Sequence, residues 1–425
     1  MGHSQRERLH IVVVGLGYVG LPLAREAVTS GLAVTGLDTS TATVELLCRG
    51  RSHVDDVSDK DIEDMLAAGF QPTTDPEVLR EADVVVICVP TPLSPEAGPD
   101  LSAVKAAATA ISARMREGQL VVLESTTYPG TTEEVLVPIL EKSGLRVGLD
   151  FYCAFSPERI DPGNAKYGLR NTPKVVGGMT PECTERATRF YSLVVDEVVQ
   201  AKGVCEAEMT KLLENTYRHV NIALVNEMAR FCHELEIDLW DTIRCASTKP
   251  FGFAPFYPGP GVGGHCIPID PNYLSHRVRT HLGFPFRFVE LAQEINSGMP
   301  AYVTLRIQAL LNEDGKAVRG SNVLLLGVTY KPDIADQRES PALEVARSLH
   351  SLGASISYHD PYVPVWNVEG MALQSVSDPL DTSTAADLTV LLQPHSRYDL
   401  AALAHKARRL LDTRGAVSGA DVHRL

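Results

Sequence analysis

The 425-residue chain has no apolar run approaching the roughly 20 residues that a helix needs to cross a bilayer, so we expect no membrane span. Residues 1–10 are polar and lead directly into a strand, which predicts that no signal peptide is present. The eight cysteines are scattered and include no Cys-x-x-Cys pair. That spacing argues against a zinc module or other metal site and against a disulfide framework, and it favours a cytoplasmic protein with reduced thiols.

Positive charge is also scarce, because 39 lysines and arginines stand against 53 aspartates and glutamates, giving a net charge of -14. This balance argues against nucleic acid or an anionic membrane surface as a partner. A small anionic ligand stays compatible with it, since local arginines and helix N-termini hold phosphates in acidic proteins too. The content of 22% charged and 44% hydrophobic residues is typical of a globular protein, and the length allows two or three domains.

Strand and helix patterns alternate in the first part of the chain. Apolar runs predict buried parallel strands at 9–14, 33–37, 83–89 and 119–123. A helical pattern over 18–30 follows the first strand and ends at Gly31, a C-terminal cap. This alternation predicts a doubly wound α/β domain, with bounds 1–203.

The remainder of the chain predicts a long helix and then a second α/β unit. Residues 206–236 have a helical pattern with almost no breakers. A further strand begins at Asn322, and Ser340-Pro341 predicts the start of the next helix, with serine as N-cap and proline at the first helical position. We therefore predict a central helical dimerisation domain over 204–318, which carries a cysteine loop, and a Rossmann-like domain over 319–425.

The glycine motif after the first strand indicates a dinucleotide site. Gly15-Leu16-Gly17-Tyr18-Val19-Gly20 lies between a predicted strand and a predicted helix, the context that the dinucleotide fingerprint requires. Gly15 allows the tight turn, Gly17 the approach of a pyrophosphate, and Gly20 close packing of helix on strand. Asp38 ends the second strand, where it can accept hydrogen bonds from the ribose hydroxyls and repel a 2′-phosphate. NAD is therefore favoured over NADP.

A glycine- and proline-rich loop over 256–270 contains one thiol, Cys266, with Asp270 four residues later. Glycines let the backbone approach a ligand closely, and loop amides can stabilise a thiolate, the nucleophilic form of cysteine. Beside a dinucleotide site, this loop suggests an oxidation that passes through a thioester. For His265, a packing or substrate contact is favoured over the role of a general base.

Other polar side chains can be interpreted either as parts of a ligand site or as ordinary structural residues. Lys211 and Asn215 are four residues apart in the predicted helix, on one face, where they can hold an oxyanion or simply form a solvated stripe. The segments Ser125-Thr126-Thr127 and Ser156-Pro157-Glu158-Arg159 follow strands, at the edge where ligand sites of open α/β sheets lie. Either segment can equally be a turn or a helix cap.

Taken in order, these motifs resemble the nucleotide-sugar 6-dehydrogenase family, which includes UDP-glucose dehydrogenase, over almost the whole chain. The motifs that carry the resemblance are Gly15-x-Gly17-x-x-Gly20, Val89-Pro90-Thr91-Pro92, Glu124-Ser125-Thr126-Thr127-Tyr128-Pro129-Gly130, Ser156-Pro157-Glu158-Arg159, Lys211-x-x-x-Asn215, Pro260-Gly261-x-Gly263-Gly264-x-Cys266-x-Pro268-x-Asp270, and Tyr330-Lys331 with Asp336-x-Arg338-x-Ser340.

The resemblance implies NAD-dependent, four-electron oxidation of the C6 hydroxymethyl group of a nucleotide sugar to a uronic acid. Cys266 would hold the sugar first as a thiohemiacetal and then as a thioester, which water releases. Lys211 and Asn215 would stabilise the oxyanions, and Lys211 would also favour the thiolate. An assembly of two or more copies is expected from the long central helix.

The resemblance also implies which residues meet water, cofactor and substrate. Asp270, with Thr126 and Glu158, would position or activate the water. The expected cofactor contacts are Gly15, Gly17, Tyr18, Val19, Gly20, Asp38, Pro90, Thr91, Thr126 and Arg338. The expected substrate contacts are Arg159, Arg218, Lys249, Phe256, Tyr257, Gly263 and Lys331.

The substrate loop favours one branch of the family. Glucose-type enzymes tend to carry an apolar residue and a Glu-Gly pair after the Pro-Glu, whereas this chain has Arg159-Ile160-Asp161-Pro162-Gly163. That loop looks like the branch that oxidises UDP-N-acetylhexosamines, where Arg159 or Arg218 would contact a group at C2. UDP-N-acetylglucosamine or UDP-N-acetylmannosamine is therefore ranked first, and UDP-glucose or a dTDP-sugar is the alternative.

Two other functions compete with this interpretation. A two-electron β-hydroxyacid dehydrogenase shares the cofactor domain and long helices but needs no nucleophilic thiol. A catalytically silent sugar-nucleotide sensor would keep the Rossmann loops alone. Intact Lys211, Asn215, Cys266 and Asp270 argue against the sensor, because binding does not require them as a set.

Overall fold

The computed structural model describes residues 9–54, 56–93, 98–161, 164, 166–264, 267–419 and 422–425. The chain forms two compact units. The first comprises Met1–Glu214 and Asn272–Gly283, and the second comprises Asn215–Pro271 and Phe284–Leu425. His265 and Cys266 lie outside the described residues.

The first unit is built on an eight-stranded sheet. Its strands are β1 (His10–Val14), β2 (Ala33–Leu37), β3 (Gln71–Thr73), β4 (Val84–Ile87), β5 (Leu120–Leu123), β6 (Tyr152–Phe155), β7 (Lys174–Gly178) and β8 (Val198–Gln200). Its helices are α1 (Gly20–Thr29), α2 (Thr41–Cys48), α3 (Asp59–Ala67), α4 (Ser102–Ser112), α5 (Val137–Leu140) and α6 (Pro181–Tyr191), with a π-helical turn at Thr132–Leu136. Two longer helices, α7 (Val204–Glu234) and α9 (Asp270–Leu282), include residues of both units.

The order of this sheet is β3-β2-β1-β4-β5-β6-β7-β8. The first six strands are parallel and follow the order of doubly wound dinucleotide-binding sheets. Successive residues of β1 face opposite sides, and both sides are covered by apolar side chains, since Ile11 and Val13 belong to one core and Val12 and Val14 to another. Such two-sided burial is why the parallel strands are continuous apolar runs.

The second unit contains a five-stranded parallel sheet of order β10-β9-β13-β14-β15. Its strands are β9 (Asn322–Leu326), β10 (Ser355–His359), β13 (Leu388–Leu391), β14 (Leu410–Asp412) and β15 (Val422–Arg424), with a separate hairpin of β11 (Val365–Val368) and β12 (Met371–Gln374). Its helices are α8 (Leu239–Ala246), α10 (Arg287–Glu313), α11 (Pro341–Leu352), α12 (Pro379–Ala385) and α13 (Leu400–Lys406).

The predicted architecture of two Rossmann-like sheets and a long central helix is confirmed. The helix start predicted at Ser340-Pro341 is also confirmed, because the Ser340 side chain accepts from the amide of Ala342 and Pro341 opens α11. The antiparallel strand β7 and the β11–β12 hairpin were not predicted. In the described part of the chain, no helix combines the length and apolarity that membrane crossing requires.

Candidate active site

The turn between β1 and α1 requires glycine at two positions. Gly15 has a φ of +92°, and a Cβ there would stand 2.8 Å from the carbonyl oxygen of Cys88. A Cβ on Gly20 would stand 1.9 Å from the carbonyl oxygen of Gly15, so only glycine lets α1 approach the strand this closely. At Gly17 nothing lies within 4 Å of the position of a Cβ, which leaves this side of the loop open.

A carboxylate stands beside this loop. Asp38 follows β2, and its Oδ2 accepts a hydrogen bond of 2.9 Å from the amide of Leu16, while its Oδ1 accepts one of 2.8 Å from Ser40. Helix α1 begins after Val19, whose side chain forms no cap, so the N-cap residue does not compete with a ligand for the amides of the first turn. Tyr18 lies on the same loop and is partly exposed. A glycine cradle, an uncapped helix start and a fixed carboxylate suit an anionic dinucleotide.

The loops that follow β4 and β5 are tied to each other. Thr91 Oγ1 donates to the carbonyl oxygen of Thr126 over 2.7 Å, and Ser125 Oγ donates to the carbonyl just before Pro90, also over 2.7 Å. The hydroxyl of Tyr273, on α9, donates to the carbonyl of Thr91. Residues predicted to contact the cofactor are therefore brought together at the carboxyl ends of neighbouring strands, where open α/β sheets bind ligands.

A buried ion cluster lies beyond β5 and β6. Lys174 Nζ is 3.1 Å from Glu124 Oε1 and 3.2 Å from Glu158 Oε2, and the Tyr191 hydroxyl donates to Glu124. Burial works to raise the pKa of Glu158, but Lys174, backbone donors and Lys211 outweigh it and hold this pKa below its usual value. For Glu124, burial dominates and raises the pKa despite Lys174.

Arg159 is engaged within the first unit. Its Nη2 donates to Glu214 Oε1 over 2.7 Å and its Nη1 donates to the carbonyl oxygen of Pro173 over 2.6 Å. Its backbone amide donates to Glu158 over 2.7 Å. A substrate group that binds this guanidinium would therefore compete with Glu214.

Helix α7 carries the predicted oxyanion residues. Lys211 and Asn215 are both buried. Within the second unit, Asn215 Nδ2 donates to Asp270 Oδ2 over 2.7 Å, although the two residues are 55 positions apart in sequence. Asp270 is buried and is the first residue of α9. Two predicted catalytic residues are thus in direct contact.

The loop that precedes Cys266 has no room for a side chain at Gly263. A Cβ on Gly263 would stand 2.6 Å from Tyr330 Cβ and 2.7 Å from the carbonyl oxygen of Glu339. The amide of Gly264 donates to the carbonyl of Arg338 over 3.2 Å. The glycines of this loop therefore let it lie against the segment that precedes α11.

That segment also carries two predicted ligand contacts. The Arg338 guanidinium forms a two-point pair with Asp336, with Nη2 to Oδ2 at 2.6 Å and Nε to Oδ1 at 2.9 Å. The backbone carbonyl of Lys331 accepts from Thr329 Oγ1 over 2.8 Å. A buried histidine, His395, accepts from the amide two residues after Lys331 over 2.9 Å. The backbone around Lys331 is thereby fixed in the loop that follows the carboxyl end of β9.

The other predicted substrate contacts are two aromatic residues at the start of the loop and two exposed basic residues. Tyr257 is exposed and stacks on Trp240, with ring centroids 5.9 Å apart and an interplanar angle of 10°. Phe256 packs edge-on against Tyr217, at 5.6 Å. Lys249 is exposed, with its ammonium 5.0 Å above the ring of Phe251. Arg218 is exposed on α7.

Sequence reasoning missed several buried charges beside the predicted site residues of the first unit. Lys174 opens a strand of otherwise apolar or glycine residues, and this exception was the available signal. Glu208, one turn before Lys211, accepts from the amides of Gly130 and Thr132 over 2.6 and 2.8 Å. Burial raises the pKa of Glu208 to about 7. Among the residues that the structure describes, no group of three or more histidines, cysteines and carboxylates could hold a metal ion.

Three domains of the UDP-glucose/GDP-mannose dehydrogenase family match the chain in sequence. Its NAD binding domain matches residues 9–195, its central domain residues 205–298 and its UDP binding domain residues 324–419. The chain belongs to this family. It is an NAD-dependent nucleotide-sugar dehydrogenase, as the resemblance implied.

Relatives within the family carry different sugars in their names. The UDP-N-acetyl-D-glucosamine 6-dehydrogenase of Pseudomonas aeruginosa is 36% identical over 357 residues, which are 84% of this chain and 83% of that protein. The structure of the UDP-D-ManNAc dehydrogenase of Pyrococcus horikoshii has a TM-score of 0.87 and 31% identity, covering 98% of this chain and 99% of that one. A UDP-glucose dehydrogenase from Pyrobaculum islandicum has a TM-score of 0.86 and 26% identity, with coverage of 100% and 98%.

Proposed function

We propose that the protein oxidises the C6 hydroxymethyl group of UDP-N-acetylglucosamine or UDP-N-acetylmannosamine to the uronic acid. The balanced reaction consumes one water and two NAD+ per sugar and yields the carboxylate, two NADH and three protons. The observation that carries the proposal is the buried bond between Asn215 and Asp270, because it joins an oxyanion donor to the carboxylate four residues after Cys266. A simple two-electron dehydrogenase has no use for this thiol and carboxylate together.

NAD+, when bound, supplies the hydride acceptor for both oxidations, and Gly15, Gly17, Gly20 and Asp38 would hold it. The remaining chemistry belongs to the chain. Cys266 adds through its sulfur to the C6 aldehyde and keeps the sugar covalently attached until the thioester is hydrolysed.

Charge and water are handled by the buried polar groups. Lys211 and the amide of Asn215 donate to the oxygen that becomes negative in each tetrahedral species. Asp270, whose carboxylate accepts from the Asn215 amide, is the carboxylate proposed to position the attacking water. The family resemblance also assigns Thr126 and Glu158 to the water step, and the lowered pKa of Glu158 favours its ionised form, which a base requires.

The proposed sugar rests on the sequence of the substrate loop and on the names of the relatives, several of which act on N-acetylated sugars. UDP-glucose is the second candidate, because a UDP-glucose dehydrogenase has nearly the same TM-score. A panel of UDP-N-acetylglucosamine, UDP-N-acetylmannosamine, UDP-glucose and dTDP-glucose, each with NAD+, separates these candidates by the masses of the products.

We further propose that the protein is a cytoplasmic homodimer or larger symmetric assembly. Tyr217, Leu224 and Phe231 are exposed on α7 at intervals of seven residues, so they form one apolar stripe. Large exposed apolar side chains in a row mark an interaction surface, and a second copy of the same stripe is its simplest partner. The seven described cysteines are free thiols, in keeping with a reducing compartment.

Stoichiometry tests the four-electron route. The intact enzyme should form two NADH per acid, and Cys266→Ser should still bind NAD while producing no uronate. One NADH per sugar, or normal acid production by Cys266→Ser, would refute the route. A quenched turnover analysed by mass spectrometry should carry the sugar on the Cys266 peptide.

A further inference from the structure

A single buried cation joins two strand ends of the first unit. Lys174, the first residue of β7, places its ammonium between Glu124, which directly follows β5, and Glu158, three residues beyond β6. All three side chains are buried, with 5%, 0% and 8% of their surface exposed. Both carboxylates belong to segments that carry predicted site residues, Thr126 and Arg159.

The two carboxylates have different surroundings. Glu158 Oε1 accepts from the amides of Arg159 and Ile160 over 2.7 and 2.6 Å, so Oε2 is the oxygen that meets Lys174. A carboxylate oxygen can accept two hydrogen bonds, which gives Oε2 the capacity to accept from a water as well. Glu124 instead accepts from the Tyr191 hydroxyl, deep in the unit.

Charge explains why the cation is needed. Moving a carboxylate out of water is costly unless a partner compensates it, and here one ammonium serves two acids. Burial alone would lower the pKa of Lys174, but Glu124 and Glu158 outweigh it and raise this pKa, so the ammonium stays charged. The other charged or titratable groups that act on Glu158 and Glu124 are Lys211, Tyr191 and Cys88, and Arg159 next to Glu158 is paired with Glu214.

We propose that Lys174 is a positioning residue of the hydrolytic step: its ammonium fixes Glu158 against Glu124 and keeps Glu158 as the ionised base that accepts from the attacking water. This rests on the proposed function, because the water has a role only if a thioester forms. The contribution of Lys174 is then electrostatic as well as structural.

The electrostatic contribution of Lys174 predicts the direction in which the pKa of Glu158 changes when the lysine is replaced. Removing Lys174 removes the strongest influence that lowers the pKa of Glu158, so this pKa rises. The base form of Glu158 is then lost at a higher pH than in the wild type. An opposite charge at this distance moves a carboxyl pKa by about 1–3 units, which sets the size of the expected shift in the pH profile.

The test is a quenched single turnover with NAD+ and UDP-N-acetylglucosamine, or another sugar of the panel that the wild type oxidises. The decay of the acyl adduct on the Cys266 peptide is followed from about pH 3.5 to pH 9, because the acid limb of the wild type is expected below the usual glutamate pKa of 4.5. In Lys174→Met the acid limb of the hydrolysis rate should move upward by about 1–3 pH units. Near pH 5, where the shifted pKa leaves much of Glu158 protonated, hydrolysis should be slower than in the wild type, so that the adduct accumulates. Lys174→Arg, which keeps a cation, should retain the acid limb of the wild type.

A second variant guards against misfolding, because an uncompensated pair of buried carboxylates is strongly destabilising. Lys174→Met combined with Glu124→Gln removes one acid together with the cation, and its acid limb should also lie above that of the wild type. If a folded variant without Lys174 keeps the wild-type limb and only its melting temperature falls, the role is merely structural and the proposal is overturned. If the wild type itself forms no adduct on Cys266, the proposed function fails first.

Discussion

At the scale of single residues, Glu208 is a buried carboxyl group that accepts three hydrogen bonds from one loop. It sits on α7, three residues before Lys211, and both of its oxygens accept from the segment that follows the Ser125–Tyr128 loop, including the Thr132 hydroxyl at 2.7 Å. Because burial raises the pKa of this carboxyl from 4.5 to about 7, its proton is released only near neutral pH in the folded protein. The attachment of a site loop to the central helix therefore depends on a group that titrates in the working range.

Glu208→Gln should change how the free energy of unfolding depends on pH. In the unfolded chain the carboxyl loses its proton near pH 4.5, whereas in the folded chain it does so near pH 7. The stability that Glu208 contributes is therefore complete below about pH 4.5 and is lost as pH rises through 7, with a slope of at most about 1.4 kcal/mol per unit. Glutamine keeps an acceptor but cannot titrate.

Urea midpoints of the wild type and of Glu208→Gln, measured from pH 4.5 to pH 8, test this. The wild type should lose stability relative to the variant as pH rises across that interval. Parallel curves would mean that Glu208 titrates normally and is not held as described.

At the scale of elements, the glycine loop before Cys266 packs directly against the segment before α11. Gly263→Ala would push a methyl carbon to within 2.6 Å of Tyr330 Cβ and 2.7 Å of the Glu339 carbonyl, and backbone atoms cannot yield as a side-chain end can. We expect a loss of about 1–3 kcal/mol in the free energy of unfolding, typical of overpacking. The rate of turnover should fall as well, because the loop leads to the nucleophile.

Gly298→Ala is the matched control, since this exposed glycine lies inside α10 with nothing within 4 Å of a Cβ. Alanine should stabilise the helix there by up to about 1 kcal/mol. Denaturant titrations and kcat of both variants provide the comparison. Equal effects on stability from the two substitutions would contradict the tight packing at Gly263.

Elements made from local patterns were predictable, and contacts between distant segments were not. Strand β1, the glycine turn after it and the start of α11 each follow from spacing and cap residues within a dozen positions. Lys174 meets Glu124 across 50 positions of sequence, and only the register of the sheet brings them together. The antiparallel pairing of β7 with β6 could not be predicted for the same reason, because pairing direction depends on partners far along the chain.

At the scale of the whole molecule, the apolar stripe on α7 predicts the state of association. Leu224 and Phe231 are 54% and 47% exposed although both are large and apolar. Replacing both with aspartate should abolish association, because charges cannot be buried in an apolar contact without partners. Light scattering after size exclusion should then give the mass of one chain, 46.1 kDa, in place of a multiple of it.

Leu149→Asp is the control, since this leucine is exposed in the first unit and lies outside the stripe. It should leave the measured mass unchanged. A wild type that runs as a monomer would remove the basis for the proposed assembly.

The stacking of Trp240 on Tyr257 gives the protein a built-in optical reporter. The chain has only two tryptophans, Trp240 and Trp366, and both belong to the second unit. Tryptophan fluorescence therefore comes from the second unit, whereas circular dichroism detects the melting of both units. A ligand that disturbs the stacking of Tyr257 on Trp240 should change the fluorescence of Trp240. Binding at the start of the glycine loop can therefore be monitored without attaching a dye.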